Sequence, residues 1–136
     1  MADIVVTASK VAPIDQDQAQ IYPMVPAVAI NRGQAVYLNS AGKAALGIAT
    51  AAGTVKTGGI ALETAGVRQG VSILKRGKVG GFAVSALAYG ALIYSSDTPG
   101  AVADATGTST QIVGKVVPMS DSDLTKVIYF DFPWLT

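Results

Sequence analysis

The chain has 136 residues, half of them hydrophobic but only 7% aromatic, with 14% charged and a formal net charge of +1. A length of this order fits one domain, which on folding buries roughly two-thirds of the extended chain's surface. An ordinary soluble domain carries roughly 25% charged residues, so part of this surface is expected to be covered, and a net charge this small gives no field to gather nucleic acid or anionic lipid.

Histidine and cysteine are absent. Disulfides, thiolate metal sites, the thiol nucleophile and the commonest general base are therefore excluded, and the redox compartment is left open. No uninterrupted apolar run approaches the roughly 18 residues of a membrane helix. The start, MADIVVTASK, lacks the basic and long apolar regions of a secretion signal. The expectation is a soluble protein made in the cytoplasm.

Residues 1–26 stand apart. A short apolar run, Ile4 to Val6, leads into PIDQDQAQ, and Pro13, Pro23 and Pro26 all fall here. Proline and a polar Asp/Gln run both oppose regular structure, so the segment reads as an extended arm, either frayed or lying across a neighbour. Residues 27–136 read as the body. Short β-branched runs (QAVYLN, AALGIA, TVKTGGIAL, GVSILKRG, KVGGFAV, ALIYSS, GAVAD, QIVGKVV, KVIYFDF) are separated by glycines and by turns such as Asn39 to Gly42 and Asp97 to Gly100. That spacing predicts an all-β fold, a single compact barrel or sandwich. The best helical stretches, TAAGTV and VSALAYG, are too short and too glycine-bounded to be more than turns.

A shift of 57 places Ala29, Ile30, Gly33, Val36 and Tyr37 on Ala86, Leu87, Gly90, Ile93 and Tyr94. With a two-residue slip, Gly59 and the following IAL fall on Gly114 and KVV. The pattern predicts two similar β units packed face to face. Each repeated glycine supplies a turned position before a strand, with Val36 and Ile93 inward and the tyrosines on the other side. A glycine and a tyrosine four apart bring no acid, base or nucleophile together.

Only hydroxyl, carboxylate and lysine chemistry remains. Ser72-Ile-Leu-Lys75 matches the S-x-x-K of serine acyl-enzymes, and Lys56-Thr57-Gly58 matches their K-T-G. That chemistry needs Ser and Lys one helical turn apart, whereas this run reads as a strand, and the K-T-G lies upstream. Ser120 to Asp123 has the look of a calcium loop but lacks its glycine and its final glutamate. GIATAAGTVKTGG lacks the G-K-(S/T) of a phosphate loop. Lys75, Arg76 and Lys78 form the densest basic patch and read as a solvated hairpin tip, with contact to an acidic partner as the alternative. At the C-terminus, Tyr129, Phe130, Phe132 and Trp134 read as a closing strand, with Trp134 as an exposed anchor the second reading. No catalytic, cofactor-binding or metal-binding residue is assigned, and no enzyme activity is expected.

An N-terminal arm, then INRGQAVYLNSAGKAAL, GGIALETAGVRQGVSILKRGKV and AYGALIYSSDTPGAVA with IVGKVV, ending in a hydrophobic strand, resembles the small capsid-decorating (cement) proteins of tailed bacteriophages. The resemblance covers roughly residues 26 to 132 and is carried by G-x-A-V-Y-L, GIALETA, VSILKRGKV and IYSSDTPGAV. It implies a β-barrel or sandwich subunit, often a homotrimer, that binds the major capsid protein on the virion exterior and ties capsomers together. It brings no catalytic residues with it, and no nucleic-acid or membrane partner is expected. Two other classes compete: a carbohydrate- or receptor-binding β module of a head fibre or spike, and a hydrolase using Ser72 and Lys75.

Overall fold

The glycine-punctuated runs become strands in the order in which the chain presents them. The computed structural model describes residues 3–14, 19–47, 58–108 and 110–132. Within them lie β1 (Gln20–Met24), β2 (Ala35–Leu38), β3 (Ala44–Leu46), β4 (Gly59–Ala61), β5 (Val71–Val79), β6 (Leu92–Ser95), β7 (Val102–Ala103), β8 (Ile112–Pro118) and β9 (Lys126–Asp131). Among the described residues the only helical piece is a single 3-10 turn, Ala8–Lys10. The strands form one antiparallel sheet in the order β3-β2-β4-β5-β9-β8-β6-β7, with β1 paired to β5, and the sheet curls strongly into a half-barrel. The fold is all-β and barrel-like. The run KVGGFAV, expected as a strand of its own, instead gives its first two residues to β5 and keeps only an isolated bridge at Phe82.

The internal repeat is a structural repeat. Ala35 pairs with Ile60 and Ile60 with Leu74 across β2, β4 and β5; Leu92 pairs with Lys115 and Lys115 with Tyr129 across β6, β8 and β9. The turns leading in match bond for bond. Gly33 N–H donates to Ala61 O at 2.8 Å and Gly90 N–H to Val116 O at 2.7 Å, while Ala61 N–H reaches Gln34 O and Val116 N–H reaches Ala91 O, both at 2.9 Å. After β2, Asn39 Oδ1 accepts from Ala41 N–H at 3.0 Å; after β6, Ser96 Oγ accepts from Thr98 N–H at 3.0 Å. Two unlike side chains thus close the same turn.

Glycines at two repeated positions explain why the pattern recurs. Gly33 and Gly90 have φ of +91° and +82°, a region costly for any residue with a Cβ. Gly59 and Gly114 lie where strands press together: a Cβ would meet Ile73 Cγ2 at 2.2 Å and Leu74 O at 2.8 Å in the first, and Tyr129 O at 2.5 Å in the second.

The units join through β5 and β9. Arg76 pairs with Asp131, its own counterpart in the repeat, and Phe132 N–H donates to Lys75 O at 3.1 Å opposite the Gly77 to Phe130 pair. This is the pattern of a local two-fold axis. It does not extend to the packing, because β5 carries a bulge: Gln20 opposes Arg76 and Ile21 opposes Leu74, leaving Lys75 unopposed on β1. One extra residue exchanges the two faces of a strand, and both Leu74 and Val79, five positions apart, reach the same core.

The units therefore meet with different faces rather than in the matched face-to-face arrangement expected. The large core takes Ala35, Ile60 and Leu74 from the first unit and Ile93, Val116, Ile128 and Phe130 from the second. Phe130 stacks on Phe132 with ring centroids 5.2 Å apart and takes the edge of Phe82 at 5.4 Å. The first unit's other face, with Val36, Ala61 and Ile73, builds a smaller core closed by Ile30, Ala65 and Met24. Val36 and Ile93 are both buried, as expected, but in different cores, Val36 in the small one and Ile93 in the large one, and Tyr37 and Tyr94, next to them on their strands, are half-buried.

The N-terminal segment, in its described residues, is extended apart from the 3-10 turn Ala8–Lys10 and lies on its own chain. It bridges Asp3 to Ala103 and Val6 to Phe82, passes Pro13 against Val79, pairs as β1 with β5, then bridges Pro26 to Ala44. Ile4 and Val11 enter the large core. The prolines of this segment did not prevent pairing, because an edge strand needs donors on one side only.

Candidate functional site

Ser72 and Lys75 both lie on extended β5. Ser72 faces a carboxylate: its N–H donates to Glu63 Oε1 at 3.0 Å, and its hydroxyl and N–H together hold the Glu63 carboxyl below the usual range, helped by the charge of Arg32. Lys56 and Thr57, and the stretch TAAGTV, lie outside the described residues. Ser120 to Asp123 is the turn between β8 and β9. Ser120 N–H donates to Asp123 O and Asp123 N–H to Ser120 Oγ, each at 3.0 Å, while Thr125 holds the Asp123 carboxyl below its usual range by bonds from its hydroxyl and N–H. Among the described residues no group of three or more Asp and Glu is placed to hold a metal ion, and no helix is long and apolar enough to cross a membrane.

The basic run is not a hairpin tip. Lys75, Arg76 and Lys78 lie within one continuous strand, because Gly77 is an in-strand residue opposite Phe130 and not a turn. Arg76 pairs with Asp131 at 3.1 Å, and Lys78 Nζ donates to Met119 O at 3.3 Å. Phe130 and Phe132 are core residues, as a closing strand requires, while Trp134 lies outside the described residues.

The surface features that stand out are apolar. One groove lies over the small core and is lined by Tyr22, Pro23, Met24, Val25 and Leu38, of which Leu38 is 53% exposed and Val25 46%. It arises because β1 covers the edge of β5 and presents Ile21 and Tyr22 outward. A second groove lies on the outer face of the second unit, lined by Leu92, Ile112, Lys115, Tyr129 and Asp131. Leu92 is 41% exposed and Ile112 47%.

The second groove has a structural explanation. Leu92, Lys115 and Tyr129 are the counterparts of Ala35, Ile60 and Leu74, which are wholly buried under the second unit. The same row of the same motif is covered in one unit and open in the other. Reasoning from the sequence missed both grooves: the first needs the pairing of β1, and the second needs the bulge at Lys75. The available signal was in the repeat itself, where two aliphatic positions of one copy become Lys115 and Tyr129 in the other.

Comparison with known protein families, with curated proteins and with solved structures finds no match to this chain.

Proposed function

We propose that the chain is a structural virion protein, a cement subunit that binds the major capsid protein on the outside of an icosahedral phage shell and ties neighbouring capsomers together. The observation that carries this reading is the pair of apolar grooves on a low-charge body stiffened by the pairing of its strands. Exposed apolar surface on such a body serves association. The order of motifs from the arm to the final hydrophobic strand, which resembles that of phage decoration proteins, supplies the class of partner. In this reading the subunit acts with copies of itself, as a homotrimer.

The physics of the task fits these features. A binder that engages the assembled lattice and not the free subunit stabilises the lattice by mass action. Many copies of a modest interface then add up over the shell. The test is a particle lacking this chain. Loss of resistance to heat and to chelators on deletion, restored by adding the purified protein back, is the expected result; unchanged resistance removes the proposal.

A further inference from the structure

We infer that copies of this chain associate head to tail, the groove over the small core of one copy docking on the open outer face of the second unit of the next. Self-association is shared with the reading above; the two faces and their polarity come from the repeat and do not depend on what the assembly coats.

Within one molecule the layers succeed one another in a fixed order. Segment 24–30 covers the small core, the first unit separates the small core from the large one, and the second unit closes the large core and faces solvent. The row Ala35, Ile60 and Leu74 is buried because another β layer lies on it. The counterpart row Leu92, Lys115 and Tyr129 has the same backbone pairing, and among the described residues no β layer lies upon it: Leu92 and Lys115 are exposed and Tyr129 is half-buried. A second copy offers such a layer at the opposite end of its stack, where Tyr22, Val25 and Leu38 form an apolar outer surface. Docking that end on the open row continues between molecules the succession of layers already present within one. The long stems of Lys115 and Tyr129 lie along an apolar contact while their polar tips reach its rim.

The two contacting surfaces differ, so the interface is heterologous, and copies close into a ring when the rotation between neighbours allows it. This polarity gives the proposal a sharp test. Leu92→Asp removes one surface and Leu38→Asp the other; both residues are exposed, so each variant is expected to keep the wild-type melting temperature. By sedimentation, the wild type is expected at a multiple of 13.8 kDa, and each variant alone as a monomer, with self-association weakened at least ~10-fold. An equal mixture of the two variants is expected to recover a dimer, because each retains the surface the other lacks. A monomeric wild type, either variant assembling as the wild type does, or a mixture that stays monomeric overturns the inference. A wild type that assembles by these faces and ignores shells keeps it and removes the capsid reading; a monomeric wild type that coats shells removes this inference and the homotrimer with it, and leaves the docking on capsids standing.

Discussion

The two halves of the molecule carry one motif in two environments. In the first, strands β2, β4 and β5 are buried on both faces, with the row of Ala35, Ile60 and Leu74 against the large core and that of Val36, Ala61 and Ile73 against the small one. In the second, β6, β8 and β9 bury one face and leave the other to solvent. The side chains follow. A strand buried on both faces reads as a continuous apolar run, whereas one buried on a single face alternates, and Lys115, Val116 and Ile128, Tyr129 alternate between open and buried where their counterparts Ile60, Ala61 and Ile73, Leu74 are all buried. Backbone geometry was kept through the repeat, while burial was set by what each copy came to lie against.

The comparison is tested most severely where the two copies are most alike. Gly59→Ala and Gly114→Ala each drive a Cβ into backbone carbonyl oxygen, and each is expected to cost ~3 kcal/mol or to prevent folding, read from urea unfolding. Equal and small losses would mean that the paired strands are looser than the shared motif requires. Where the copies differ in packing, the losses should differ too. Ile128→Ala empties part of the large core and is expected near the upper end of the ~2–5 kcal/mol range for such truncations, while its counterpart Ile73→Ala, beside the smaller core, is expected near the lower end. Similar values for the two would remove the distinction between the cores.

Smaller effects sharpen the picture. Gly33→Ala and Gly90→Ala share the cost of a positive φ, about 1–2 kcal/mol. The Gly33 variant is expected to lose more, because its Cβ meets Val6 Cγ2 at 2.8 Å while that of Gly90 meets nothing within 4 Å. Chemical denaturation of the two variants decides the order. Removing the ion pair at the local two-fold axis by Asp131→Asn is expected to change stability by less than ~1 kcal/mol, since both side chains are over two-fifths exposed. The last effect is on pH dependence. Because Ser72 lowers the Glu63 pKa on folding, the contribution of this contact is present above the ordinary carboxylate pKa and is lost as pH falls through the lowered value. Glu63→Gln is expected to flatten the acid side of the stability profile, and an unchanged profile in that variant would show that the contact contributes nothing.

Most of the strands were legible because they are local: β-branched runs bounded by Gly and by turns at Asn39 to Gly42 and Asp97 to Gly100 specify themselves. The repeat was legible for the same reason, since a positive φ at Gly33 and Gly90 and the crowding at Gly59 and Gly114 leave marks in the chain. What escaped is non-local. The pairing of β1 depends on an edge of β5 that nothing in residues 1–26 announces, and the basic run reads as a turn because Gly77 does not say whether it bends the chain or only passes beside Ala19. The bulge at Lys75 decides which rows become core, and it is visible only in the register of two strands about 50 residues apart in sequence. The grooves, being products of that register, were hidden with it.

The proposal that this body docks on an assembled shell is tested most directly by co-sedimenting the purified protein with emptied shells of the particle and, separately, with unassembled capsid subunits. Saturable binding to shells at a fixed ratio per capsomer, with none to free subunits, is the predicted result; no binding to shells, or equal binding to both, would contradict it.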